Sequence, residues 1–94
     1  MLEDVSSRAV EAALMAAEKA AAADGAVRQA LERDLEAARY DASLAARRHE
    51  LVDPAKRHVA RELEARWNAA LERIVQIERR IADLEVTISL RAAR

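Results

Sequence analysis

Apolar residues recur at helical spacing along nearly the whole chain, and the strength of the pattern changes as it goes. Between Val5 and Ala23, the residues Val10, Leu14, Ala17 and Ala21 follow one another at four, three and four positions, a thin stripe on one face of a helix. From Val27 the stripe strengthens through Leu31, Leu35, Ala38, Ala42 and Ala45. A second stripe, Tyr40, Leu44 and Leu51, is offset from the first and predicts a helix that meets more than one neighbour, or one neighbour broadly. The clearest pattern lies further on. Leu63, Trp67, Ala70, Ile74, Ile77, Ile81, Leu84 and Ile88 alternate by four and three without a slip, the heptad signature of a coiled coil. Leu71, Val75, Val86 and Leu90 are expected beside this seam, widening the apolar face.

Two places interrupt the helical pattern. Asp24–Gly25 is a turn dipeptide in many settings, yet within a helix the glycine costs only about 1 kcal/mol relative to alanine. Asp53–Pro54 is a stronger stop. An aspartate oxygen caps free N–H groups, proline lacks the N–H that the first helical position does not need, and proline disfavours helical backbone at the residue before it. The pattern therefore predicts an all-α fold, an antiparallel two-helix coiled-coil hairpin. One long helix spans about 4–51, the turn takes about 51–53 around Asp53 and Pro54, and a second long helix spans about 54–91. The second arm is about 57 Å long at 1.5 Å per residue, so the first must run back from Leu51 to about residue 12 to match it. A break at Gly25 would leave the isoleucine-rich end without a partner, and a continuous first helix is expected. The alternative is a separate helix over 5–23 folded back as a third member.

Composition sharpens this picture. Of the 94 residues 24 are alanine, with one Trp (Trp67), one Tyr (Tyr40) and no Phe, which suits helices meeting along a narrow seam rather than a wide core. An alanine arm against an isoleucine arm leaves much of the larger side chains wet. Self-association is thus expected, most simply a homodimer of two hairpins forming a four-helix bundle.

Charge is near balance over the chain, at −1, so no whole-molecule field draws in nucleic acid. Locally it is uneven. Residues 1–26 carry five acids and two bases, while Arg47, Arg48, His49, Lys56, Arg57, His58 and Arg61 gather at the hairpin tip, opposed by Glu50, Asp53 and Glu62. Lys56 and Arg57 oppose the dipole at a helix start, whereas Arg47 and Arg48 suit a helix end. The basic tip (Arg47, Arg48, Lys56, Arg57 and Arg61) reads either as a contact point for an acidic surface or phosphate backbone, or as a solvated loop whose long side chains cover the hairpin end.

Other chemistry finds little support. His49 and His58 flank the turn near Glu50 and Glu62, but their spacing matches no ligand motif, and no metal or cofactor is expected. Ser6, Ser7, Ser43 and Ser89 have no companion histidine in local pattern, there is no glycine-rich phosphate loop, and a two-helix rod offers no concave pocket; no catalytic residue is expected. There is no cysteine, no signal-peptide pattern and no apolar run near the ~18 residues that span a bilayer, which suits a cytoplasmic protein away from membranes. The chain reads as one helical domain over 1–94, a part of something larger.

The stretch from Ala38 to Ile74 resembles a helical segment in the C-terminal part of serine site-specific recombinases of the resolvase/invertase type, especially the large ones. The resemblance rests on ARY-x-A at Ala38–Ala42, VDP at Val52–Pro54, VARELE at Val59–Glu64 and RWN-x-AL at Arg66–Leu71. It departs at Ala55–Lys56, where those proteins usually carry Glu–Asn, and at His58, where they usually carry Leu. No residue here corresponds to the nucleophilic serine or active-site arginines of that family, nor to its zinc-ribbon cysteines. The resemblance implies a non-catalytic coiled-coil module that mediates subunit contacts in synapsis or its control, with DNA bound by the larger protein. The rival expectation is direct binding to the DNA backbone through Arg57, Arg61, Arg66, Arg73, Arg79, Arg80, Arg91 and Arg94, against which Glu62, Glu64, Glu72, Glu78, Asp83 and Glu85 are interleaved. A third is a structural coiled coil unconnected with DNA.

Overall fold

The computed structural model describes residues 2–93, with side chains from Ser6 to Ala93. It is a helical hairpin of two elements, α1 (Leu2–Leu51) and α2 (Arg57–Ala92). The hairpin is a rod of 84 × 18 × 13 Å. Its radius of gyration is 22.6 Å, against about 12 Å for a compact domain of this length.

α1 runs unbroken through Asp24–Gly25. Gly25 keeps a helical backbone with no positive φ, and the third-helix alternative is excluded. The surrounding alanines, together with Val27 to Leu31, propagate the helix across the one weak residue. Asp24 and Arg28 also fall at the spacing that joins the stripe of Val10–Ala21 to that of Leu31–Ala45. The two stripes are therefore one continuous heptad series, with two charged residues in its middle.

The turn differs in detail from the sequence expectation. α2 begins at Arg57 rather than at Pro54. α1 tightens at its end, where the Val52 N–H meets the His49 carbonyl at 3.4 Å. Asp53 then builds a turn of its own. Its carboxylate Oδ1 accepts the Ala55 N–H at 3.0 Å and its carbonyl accepts the Lys56 N–H at 2.9 Å. Pro54 sits at the second position of this turn, where its fixed φ belongs. With its oxygens engaged there, Asp53 does not cap α2. The Lys56 carbonyl opens the helix by accepting the Ala60 N–H at 3.0 Å, and no side chain caps it.

The two arms run antiparallel. Asp24 is level with Arg91, Arg28 with Glu85, and His49 with Trp67. This register sets Ile77 level with Ala38, and among the described residues those buried are Ala38, Ala42 and Ile77, at 1%, 6% and 4% exposure. The core is thus one branched side chain among alanine methyls. Trp67, Ile74, Ile81, Leu84 and Ile88 are half-buried to either side. In this register Ala92 lies level with about Ala23, so α1 runs on alone past the open end for roughly 21 residues, about 31 Å. α1 covers the 4–51 expected for it and runs well past the level at which α2 ends. Val10 and Leu14 remain exposed there because no α2 residue lies opposite. Tyr40 and Leu51 of the offset stripe are exposed as well. Val75, Val86 and Leu90 face outward, away from α1, rather than flanking the seam; at 100° per residue they fall on nearly the opposite side of α2. Leu71 alone of that group borders the seam, beside Trp67 and Ile74.

Two variants test this description. Gly25→Ala meets nothing within 4 Å of the added methyl. It is expected to stabilise the hairpin by about 0.8–1.0 kcal/mol, seen as a rise in thermal midpoint of roughly 4–8 °C. Ile77→Asp places an unpaired carboxylate at the most buried position of α2, and loss of the cooperative melt followed by circular dichroism at 222 nm is the expected result.

Candidate functional site

Three features of the rod carry its chemistry: the seam, the tip and the open end. The seam residues Leu63, Trp67, Ala70, Ile74, Ile77, Ile81, Leu84 and Ile88 share one face of α2. Each is half-buried or buried, whereas the residues between them are exposed. α1 answers with Leu31, Leu35, Ala38, Ala42 and Ala45. Alanine there lets the helices approach, and the branched residues of α2 fill the space between.

At the tip, α1 ends with Arg48 and His49 in its last turn, where cations meet the negative end of the helix dipole. α2 starts with no acidic residue in its first turn. Arg47, Arg48, Lys56, Arg57 and Arg61 are all exposed, and none of the ion pairs among the described residues involves them. The two histidines part company. The His49 ring packs against Trp67, with centroids 5.7 Å apart and planes tilted by 38°, closing the seam at its upper end. His58 is exposed. Among the described residues no group of three His, Asp or Glu side chains is placed to hold a metal ion.

The open end holds a feature that sequence reasoning passed over. The Arg91 guanidinium donates to Asp24 Oδ1 at 3.0 Å, and Arg28 donates to Glu85 Oε1 at 3.1 Å. These two pairs cross from arm to arm and clasp the hairpin where α2 stops. Asp24 is only 20% exposed in its side chain. The signal was available: Asp24 and Arg28 are polar residues at seam positions, the kind of residue that fixes register in coiled coils. Beside the clasp lies an open groove of about 510 Å³ walled by Ala17, Ala20, Ala21, Ala92 and Ile88. Its charged side chains, Asp24, Arg28 and Arg91, are engaged in the clasp rather than converging on a bound small molecule.

The arginines of α2 do not form one surface. Arg66 pairs with Glu62 at 2.9 Å and Arg91 with Asp24, while Arg94 lies outside the described residues. Arg79 and Asp83, four residues apart on α2, are not among the ion pairs of the described residues. The backbone carbonyl of Asp83 accepts the Thr87 hydroxyl at 2.9 Å. No helix among the described residues is long and apolar enough to cross a membrane. No protein family, curated protein or solved structure matches the chain.

A double-mutant cycle on Asp24→Asn and Arg91→Gln is expected to give a coupling of about 0.2–1 kcal/mol that shrinks with added salt, because both partners keep contact with water. In dilute solution Lys56→Glu with Arg57→Glu leaves the helical signal intact and raises the melting midpoint slightly, since each acid at the start of α2 contributes about 0.3–1 kcal/mol through the helix dipole.

Proposed function

We propose that this chain is a non-catalytic interaction module that works by self-association, with two hairpins building a four-helix bundle. The observation that carries the reading is surface. The chain exposes 7972 Å², against roughly 5,400 Å² for a compact monomer of its mass. The surplus exceeds the ~1,600 Å² of an ordinary protein interface. Exposed Val75, Val86 and Leu90 on the outer face of α2, with Val10, Leu14 and Met15 on the lone end of α1, supply apolar area for a contact.

The larger setting we propose is a serine site-specific recombinase of the large type. There the hairpin would be a cytoplasmic, DNA-associated part of a longer chain and would mediate subunit contacts in synapsis or its control. What supports this is the ordered resemblance of Ala38–Ile74 together with a hairpin whose exposed turn falls within it, at Asp53–Pro54.

Sedimentation equilibrium tests the module. A dimer at about 10–50 μM is the expected result, as for a self-association of micromolar strength; a monomer throughout that range overturns it. Labelled duplex DNA is expected to show no shift at physiological salt, because acids stand among the arginines of α2; a salt-dependent shift would move the assignment to backbone binding.

A further inference from the structure

Charge is distributed along the rod in a way that selects one arrangement of two copies. Residues 2–23, the part of α1 at the open end, carry four acids and two bases, a net −2, and Asp24 beside them is matched by Arg91. Residues 47–61, around the tip, carry five Arg and Lys against Glu50 and Asp53, a net +3 with histidine neutral. The rest of the chain is nearly balanced. The rod is therefore a long dipole whose ends lie most of 84 Å apart, many times the ~8 Å screening length at physiological salt. Within one hairpin the two ends cannot neutralise each other.

Apolar exposure follows the same geography. Val10, Leu14 and Met15 are exposed on the lone end of α1, Leu51 and Val59 at the tip, and Val75, Val86 and Leu90 along α2 between them. Glu11 and Glu18 are exposed among the first group, as Lys56 and Arg57 are near the second. A parallel pair of rods would set acid against acid at one end and base against base at the other, whereas an antiparallel pair sets each acidic end on a basic tip. It does so twice, by the same contact, as a two-fold axis requires.

We infer that the partner of this hairpin is a second copy lying antiparallel beside it, the acidic overhang of α1 in each copy seated against the basic tip of the other. The inference rests on the self-association proposed above and adds its geometry. It gives the tip a function that the stability of α2 does not explain. Lys56 and Arg57 stand against the dipole of their own helix because they face the carboxylates of a neighbour. The overhang acquires the cover that α2 is too short to give.

The chain has no cysteine, so single labels can be placed at exposed alanines. Donor on Ala12→Cys chains mixed with acceptor on Ala55→Cys chains should show strong energy transfer, and donor and acceptor both on Ala55→Cys chains should show almost none. Charge reversal supplies the second arm. Glu11→Lys with Glu18→Lys, or Lys56→Glu with Arg57→Glu, should each weaken the dimer at least about tenfold, and mixing the two variants should restore it as a heterodimer. A dimer that transfers between two Ala55→Cys tips, or that ignores both reversals, overturns the antiparallel arrangement and leaves self-association standing. Growth beyond the dimer with concentration overturns it too, since overhang and tip would then be joining rods head to tail into open chains. A chain that sediments only as a monomer removes both inferences together.

Discussion

Everything in this molecule depends on how closely α1 lets α2 approach. Ala38 and Ala42 put little more than a methyl between the helix axes, and Ile77 fills the remaining space. That contact is very thin. A side chain on either arm has at most one neighbouring helix to pack against, so half-burial is the rule for Trp67, Ile74, Ile81 and Leu84 alike. The hairpin compensates by length. It repeats the same modest contact every seven residues and closes both ends with something other than apolar packing. At the tip, Asp53 folds its carboxylate and carbonyl onto the next two N–H groups. At the open end, the Asp24–Arg91 and Arg28–Glu85 pairs hold the arms level.

Polar residues at the two ends play different parts. The clasp residues are matched across the arms and face each other, which fixes one register among the several that an alanine-rich seam would tolerate. The basic residues of the tip have no such internal match, and those in the first turn of α2 stand against the field of their own helix. A feature that costs a structure stability without completing its interior points outward. The same holds for Val75, Val86 and Leu90, which sit on the face of α2 that α1 never reaches.

Much of this was legible in the sequence, for definite reasons. The seam of α2 was readable because Ile, Leu and Trp in unbroken four–three spacing have few other uses, and Asp53–Pro54 located the turn because proline forbids what a helix requires. The starting residue of α2 was less legible: Asp53 can cap a helix or close a turn with the same atoms, and only the backbone shows which. The continuity of α1 was a contest between a weak local breaker, Gly25, and good helix formers on both sides; the formers prevailed. The clasp was missed because Asp24 and Arg28 break the apolar stripe, and a search for hydrophobic period passes over the polar residues that occupy it. The outward turn of Val75, Val86 and Leu90 is hard to read from the sequence because neighbours along the chain are not neighbours on the helix surface: the 100° step separates them from Ile74, Ile81 and Ile88.

The self-contained turn at Asp53–Pro54 has a further consequence. It is closed by its own backbone and one carboxylate, so it makes no demand on how far the arms extend below it. Between that closed bend and the charged clasp lies a stretch of uniform repeats. Taking one seven-residue unit out of each arm would shorten the molecule by about 10 Å while keeping its cross-section and the orientation of its bend. The distance at which the bend is presented is thus an independent dimension of the design, adjustable in fixed steps, as in a ruler.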